Sequence, residues 1–116
     1  MTRDEALQLA LGLPDTAAAP HFDRTAVKVV KGRIFATLSA DGHDMNIKLT
    51  PDEQPIYVDG APDLVSAIPN AWGRQGWTQL RLAPADRNLV EALLTAAWRG
   101  AAPKPPPNRK RGTRRA

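Results

Sequence analysis

The 116-residue chain has 16 Lys and Arg, 12 Asp and Glu and no cysteine, for a formal net charge of +4. Its length fits one domain with a short extension, and the absence of cysteine excludes disulfides, thiol catalysis and Cys-ligated metals. The charge is uneven: residues 100–116 hold six basic groups and no acid, which leaves ten basic and twelve acidic groups in residues 1–99. The high pI therefore belongs to the C-terminal segment.

The N-terminal segment predicts a helix and no export signal. Thr2 and Glu5 have the T-x-x-E spacing of a capping box, which predicts a helix over 2–11. Asp4 and Glu5 directly follow Arg3, where a signal peptide would carry an apolar segment. No apolar run approaches the ~20 residues of a membrane span. We therefore expect a cytoplasmic protein with no membrane partner.

The segment from 15 to 49 predicts a loop followed by three strands. Small residues over 15–20 predict the loop. Beyond it, apolar and polar residues alternate with the period of 2 that is typical of strands. Lys31-Gly32 and Asp41-Gly42 predict hairpin turns between them. The predicted strands are 25–30, 33–39 and 44–49.

The second half predicts a weak helix, two strands and a long helix. Thr50 and Glu53 repeat the capping-box spacing, but Pro55 should leave the helix over 51–59 short or irregular. Strands follow over 64–68 and 77–82, and a broad apolar stripe predicts a final helix over 84–100. The order α-β-β-β-α-β-β-α predicts a two-layer α+β sandwich. Its five-stranded antiparallel sheet would carry the helices on one face and leave the other free.

The turn between the last two strands holds two of the three tryptophans, Trp72 and Trp77, with Gly73 and Gly76 between them. It lacks the Lys-Ser/Thr of a phosphate-binding loop. We interpret one tryptophan as a plug at the sheet end and the glycines as permitting the bend. Arg74 would then lie at the rim of the turn.

The two histidines, His21 and His43, lie in separate predicted loops. A metal site needs three or four convergent ligands, and neither histidine has a second one at ligand spacing. We therefore expect no metal, no cofactor and no catalytic residue, and predict that the protein is not an enzyme. An enzyme stays open as a third class, which would require a positioned acid–base partner for His21.

Five short segments together resemble the MmcQ/YjbR family, in the same order along the chain. They are Pro20-His21-Phe22-Asp23, Gly32-Arg33-Ile34-Phe35-Ala36-Thr37-Leu38, Lys48-Leu49-Thr50-Pro51-Asp52-Glu53-Gln54, Ala71-Trp72-Gly73-Arg74-Gln75-Gly76-Trp77-Thr78 and Ala97-Trp98-Arg99. The resemblance implies a CyaY-like sandwich with a five-stranded antiparallel sheet and a DNA-binding role, with no catalytic motif. The chain departs from the family at Pro55 and Asp59-Gly60, and the basic tail is not a family hallmark.

The free sheet face predicts a surface for nucleic acid. The alternation gives it cations, aromatic rings and the amides Asn46 and Gln79, but no acid. Basic side chains bind phosphates and aromatic rings stack on bases. The predicted binding residues of residues 1–100 are Lys28, Arg33, Phe35, Lys48, Arg74, Trp77 and Arg81.

The C-terminal segment 101–116 predicts a disordered, proline-rich basic tail after a folded domain of residues 1–100. Its cations would add salt-sensitive contacts to phosphates. The predicted binding residues of the tail are Arg109, Lys110, Arg111, Arg114 and Arg115. The leading hypothesis is a small non-enzymatic protein that binds nucleic acid, DNA in preference to RNA.

Two alternatives to this hypothesis stay open. The free sheet face could simply be solvated, with Lys and Arg stems covering apolar surface. The protein could instead be a module that binds a protein or a small ligand, with the tail incidental. In that case the sheet face, or a crevice near His21 and Trp72, would hold the peptide or metabolite.

Overall fold

A computed structural model describes residues 1–103 as an antiparallel sheet with helices packed against it, an α+β fold. Within these residues the sheet has six strands in the order β1-β2-β3-β4-β6-β5. The predicted tail lies outside the described residues from 104 onward. In chain order the elements are α1 Arg3–Leu11, β1 Thr16–His21, β2 Arg24–Val29, β3 Ile34–Ser39, β4 Asp44–Lys48, α2 Glu53–Gly60, β5 Val65–Ala67, α3 Ala71–Arg74, β6 Trp77–Arg81 and α4 Arg87–Ala101.

The sixth strand, β1, corrects the five-stranded prediction. It occupies the segment predicted as a loop and pairs antiparallel with β2, so that Ala19 is opposite Ala26 and His21 is opposite Arg24. Alanine and proline have little intrinsic preference for strands. Backbone pairing with β2 along the sheet edge therefore decides the conformation of this segment, and local composition does not reveal it.

The core lies between one sheet face and the helices. Inward residues of the strands, among them Leu38, Ile47 and Leu80, are fully buried and share one cluster with Ala6 of α1 and Leu93 of α4. Tyr57 and Val58 of α2 pack against the same cluster. The opposite face of the sheet, which we call the open face, carries the alternate residues of each strand.

Phe35 is fully buried in the core, so its predicted place on the open face is wrong. The cause is a β-bulge: Val27 pairs with Ala36, but the next residue, Lys28, pairs with Ile34. Phe35 is the extra residue that the bulge leaves without a partner. Strict alternation therefore fails at the start of β3, and Phe35 cannot contact a ligand on the open face.

The predicted capping box of α1 is present, and the bonds of the second predicted box form just ahead of α2. The Glu5 N–H donates to Thr2 Oγ1 at 3.1 Å, and the Thr2 N–H donates back to Glu5 Oε1 at 3.0 Å. Reciprocal bonds of the same kind join Thr50 and Glu53, at 3.1 and 2.9 Å. The N-cap of α2 itself is Asp52, whose side chain makes no capping bond. Pro55 is the third residue of α2, where the missing N–H would have no partner within the helix. The helix is therefore short, as predicted, but regular.

The turn before β6 contains α3, a single helical turn that the sequence pattern does not predict. Its glycines are required by close packing. A Cβ on Gly73 would lie 1.7 Å from the Ile68 carbonyl oxygen, and one on Gly76, at φ +111°, would lie 1.8 Å from the Leu49 carbonyl oxygen. These two glycines let the turn approach neighbouring backbone, which directs the chain into β6.

Candidate functional site

The open face is built by the register of the central strands. Asn46 of β4 is opposite Thr37 of β3 on one side and Gln79 of β6 on the other. Two residues further along β4, Lys48 is opposite Trp77. The intervening residues, such as Ile47, point into the core. The pattern therefore places Asn46, Lys48, Trp77 and Gln79 together on the face predicted for them.

A groove of about 310 Å³ lies on this face. It runs from the β1–β2 turn, across the middle of the sheet, to α3 and the residue after β5. We call it the aromatic groove, and its lining is mostly apolar. The lining residues are His21, Phe22, Arg24, Thr37, Asn46, Ile68, Trp72 and Trp77.

Two large apolar side chains in the lining are exposed rather than packed. Phe22 is 95% exposed and Trp72 is 60% exposed. Trp72 is therefore no plug at the sheet end, and Trp77 is half-buried beside it. Trp98 shows the contrast, because its Nε1–H donates to the Pro14 carbonyl oxygen at 2.9 Å and fixes α4 to the loop after α1.

Phe22 also adopts an uncommon backbone conformation, with φ of +58°. Its ring meets the His21 ring edge-on, with the centroids 5.0 Å apart. Left-handed φ in a bulky residue costs on the order of 1 kcal/mol or more, and exposing the ring forgoes its burial energy. A costly, exposed aromatic side chain is the kind of feature that marks a binding surface.

The floor of the aromatic groove is polar. Arg24 Nε donates to Thr37 Oγ1 at 2.8 Å, and Arg24 Nη2 contacts Asp44 Oδ1 at 2.7 Å. Arg24 was not among the predicted site residues. No local motif marks it, because its partners come from two other strands.

Asn46 is the unpaired group of the floor. Its Oδ1 is enclosed and has no hydrogen-bond partner in the described part of the chain. A buried acceptor without a partner typically costs about 1–3 kcal/mol, so such groups call for an explanation. The sequence pattern placed Asn46 on this face without indicating that its amide is unpartnered.

A second depression lies at the end of the sheet where β3 begins and α4 ends. Its volume is about 830 Å³, and we call it the basic cleft. Among residues 1–103 its four cations form no salt bridge, although Glu53 also lines it. These cations are Lys31, Arg33, Lys48 and Arg99. Lys31 and Arg99 were not predicted.

The aromatic groove and the basic cleft are neighbours. A smaller depression of about 180 Å³ has both Lys48 and Trp77 in its lining, together with Arg33. Lys48 also lines the basic cleft, and Trp77 also lines the aromatic groove. The shared residues place the basic cleft and the aromatic groove side by side, with Lys48 and Trp77 between them.

The other predicted residues lie away from both depressions. Lys28 is exposed on β2, and Arg81 is exposed at the end of β6, with Nη1 3.5 Å from the Asp63 carbonyl oxygen. Arg74 is exposed on α3 but does not line the aromatic groove. The five predicted residues of the tail, Arg109, Lys110, Arg111, Arg114 and Arg115, lie outside the described residues.

The loop of His43 is ordered by a carboxylate. The His43 N–H donates to Asp41 Oδ1 at 2.9 Å, and this bond holds the pKa of Asp41 below its ordinary value. His43 itself is exposed. Across residues 1–103, no three His, Asp or Glu side chains gather as metal ligands would. In the same part of the chain, no helix is both long and apolar enough to cross a bilayer.

The fold and its open face define a small α+β protein with a six-stranded antiparallel sheet. The chain belongs to the YjbR family, whose family model matches residues 11–100; this confirms the family resemblance. A similar solved structure is that of the Deinococcus radiodurans protein DR2400, described as having a DUF419 domain. It is 18% identical, with a TM-score of 0.70 over 84% of this chain and 75% of that chain. At this identity the likeness shows a shared fold alone. No curated protein matches.

Proposed function

We propose that this protein binds single-stranded nucleic acid, DNA in preference to RNA, and that it does so without catalysis. The observation that carries the proposal is that the basic cleft and the aromatic groove are neighbours, with a smaller depression lined by both Lys48 and Trp77 between them. A single strand offers phosphates and unstacked bases side by side, and proteins bind it with cations along the backbone and aromatic rings under the bases.

The charge distribution supports this proposal. Residues 1–99 carry a net charge of −2, yet four cations without salt bridges in residues 1–103 gather in one cleft. Cations that neutralise phosphates release counterions, which gives binding that weakens as salt rises. A merely solvated surface gives no reason for four cations and a single carboxylate, Glu53, to lie together beside exposed aromatic rings.

The position of the C-terminal segment next to the basic cleft also supports the proposal of nucleic-acid binding. Ala102 and Pro103 line the basic cleft, and six more cations follow from Lys104 onward. A strand held in the cleft would therefore lie near the start of the tail. Tethered contacts of this kind raise overall affinity through effective concentration.

A titration of a fluorescein-labelled 12-nucleotide single strand with the full-length protein, followed by anisotropy over a salt series, tests the proposal. Wild type should bind at low salt, with an affinity that falls steeply as salt rises. Replacing Arg33 and Lys48 by Ala should weaken binding and reduce the salt slope by about 2. Arg87→Gln, on the exposed start of α4, is the matched control and should leave binding unchanged. No binding by wild type at low salt refutes the proposal.

The contribution of the tail to the binding affinity is measured separately in the full-length chain. Replacing Arg109, Lys110, Arg111, Arg114 and Arg115 by Gln should weaken binding and leave residual, salt-dependent binding by the cleft. If these five changes abolish binding while Arg33→Ala and Lys48→Ala have no effect, the tail alone binds nucleic acid and the open face does not. Comparing single-stranded, double-stranded and RNA oligomers of one sequence tests the preference for DNA.

A second candidate is a module for a small ligand, which the aromatic groove favours because its volume of about 310 Å³ falls in the range of ligand pockets. A thermal shift with a metabolite panel, in a protein that fails to bind any oligonucleotide, would favour this candidate. Our proposal also includes a cytoplasmic location and a CyaY-like sandwich extended by β1. Cell fractionation and superposition on a CyaY structure test these two points.

A further inference from the structure

We infer that the aromatic groove is a base-binding pocket: it takes one unpaired nucleobase of a bound single strand, stacked against Trp72 and hydrogen-bonded at its edge by Asn46. This inference rests on the proposed function and adds to it the place of the base and the side chain that hydrogen-bonds its edge. Three independent observations lead to it: exposed rings, an unpartnered amide, and cations on one side only.

First, the groove carries indole rings whose faces have no aromatic partner in the described part of the chain. Within residues 1–103 the aromatic contact in the groove is the edge-on pair of His21 and Phe22, so the ring faces of Trp72 and Trp77 have no aromatic partner there. Trp72 is 60% exposed and sits on α3, whose backbone is fixed by the Asn70 cap at 2.9 Å and by the packing of Gly73. An exposed indole on a well-anchored backbone offers a stacking surface for a flat ring.

Second, the groove is lined by an amide, that of Asn46, without a hydrogen-bond partner for its oxygen in residues 1–103. Asn46 makes no side-chain hydrogen bond within the described residues, and its enclosed Oδ1 has no partner. Asn46 lines the groove, and since no bond fixes its amide, a change of rotamer would bring Oδ1 out of its enclosed position to face the groove beside the NH₂. The edge of every nucleobase carries a donor next to an acceptor, which an Asn amide can match with two bonds. Asn46 therefore suits a base without selecting which one.

Third, the cations of the basic cleft, which form no salt bridge within residues 1–103, lie at one end of the groove only. Arg24 is the cation of the groove floor, and its contact with Asp44 offsets its charge. The free cations lie instead at the Lys48 end, in the basic cleft. A phosphate is therefore favoured at that end and a neutral ring in the groove, which is the arrangement of one nucleotide within a strand. An acidic peptide or a free anion would have no partner in the groove itself.

The test compares two probes that carry the same number of phosphates: an eight-nucleotide oligothymidylate and an eight-unit strand of abasic sites. Binding is followed at low salt by anisotropy and by tryptophan fluorescence, with full-length wild type, Trp72→Ala, Asn46→Ala and the control Ile56→Ala. Ile56 is 69% exposed on α2, outside the groove. Thermal denaturation confirms that each variant is folded.

We expect wild type to bind the oligothymidylate about tenfold more tightly than the abasic strand, with quenching by the former only. Trp72→Ala and Asn46→Ala should each remove most of this difference and leave abasic binding unchanged, whereas Ile56→Ala should behave as wild type. Such coupling between side chain and base shows direct contact.

Three results would overturn the inference, and they separate it from the proposed function. Equal binding of both probes by all four proteins removes the base-binding pocket but leaves strand binding by phosphate contacts intact. No binding of either strand removes both proposals. Quenching by thymidine monophosphate without binding of either strand shows that the groove serves a free nucleotide, and that the strand is not its ligand.

Discussion

Arg24 of β2 and Asp44 of β4 are joined across the intervening strand, with 2.7 Å between Nη2 and Oδ1. On its way the guanidinium donates to both Thr37 Oγ1 and the Thr37 carbonyl oxygen, at 2.8 and 3.1 Å. The two side chains are 21% and 17% exposed. This single ion pair therefore connects three strands, and its arginine lines the aromatic groove together with Thr37.

Asp44→Asn should lower the free energy of unfolding by about 1–2 kcal/mol. The change removes the charge partner and leaves a largely covered guanidinium, which places the cost between those of exposed and buried pairs. Urea denaturation monitored by circular dichroism measures it. The control is Arg87→Gln, which breaks the exposed Arg87–Glu91 pair and should cost less than about 0.5 kcal/mol. Equal effects of both changes would show that the Arg24–Asp44 contact adds no stability.

Phe35→Ala and Phe22→Ala should have opposite consequences. Phe35 is fully buried and Phe22 is 95% exposed. Truncating Phe35 should cost about 3–5 kcal/mol of stability without a selective effect on ligand binding by the folded protein. Truncating Phe22 should leave stability within about 0.5 kcal/mol and weaken oligonucleotide binding by about 1–3 kcal/mol. Melting curves and anisotropy titrations of the two variants give both values. A stable Phe35→Ala variant with impaired binding would restore Phe35 to the open face.

Gly76→Ala should destabilise the protein by about 3 kcal/mol or more. Its added Cβ would lie 1.8 Å from the Leu49 carbonyl oxygen, and its φ is +111°, so the strain of the backbone and the clash both contribute. Gly60→Ala is the matched control, because nothing lies within 4 Å of its Cβ. At that helical position alanine should be neutral or stabilise by up to about 1 kcal/mol. Thermal melts of the two variants measure these effects. Similar melting temperatures would contradict the packing described for this turn.

The capping carboxylate of α1 predicts a pH dependence of stability. The bonds from the Thr2 backbone and side chain hold the pKa of Glu5 below its ordinary value of 4.5. A carboxyl whose pKa is lower in the folded state stabilises the fold above the unfolded pKa, and this stability is lost as the pH falls through the folded pKa. Wild type should therefore lose stability relative to Glu5→Gln as the pH falls below about 4.5. Urea midpoints of the two proteins at pH 7, 4.5 and 3 check this; a constant difference would refute it.

Local features were predictable because their physics is local. Each capping box is a contact between residues three apart, and the turns at Lys31-Gly32 and Asp41-Gly42 depend on adjacent residues. The strands β4 and β6 follow from simple alternation, which places Lys48 and Trp77 on one face without knowledge of the fold. The segments that resemble YjbR proteins also made the family predictable from the sequence.

Features that depend on distant partners were missed. β1 is a strand because β2 binds its backbone, although its own residues favour no strand. Phe35 is buried because a bulge, set by pairing with β2, shifts the alternation by one residue. The surface on which both proposals rest arises the same way, since Phe22, Asn46 and Trp72 belong to a hairpin turn, a central strand and a helical turn. The sequence by itself thus determined the family, the caps and most elements, because these depend on neighbouring residues. Only the tertiary structure decided which side chains form the groove, because strand pairing and packing bring them together across more than fifty residues of chain.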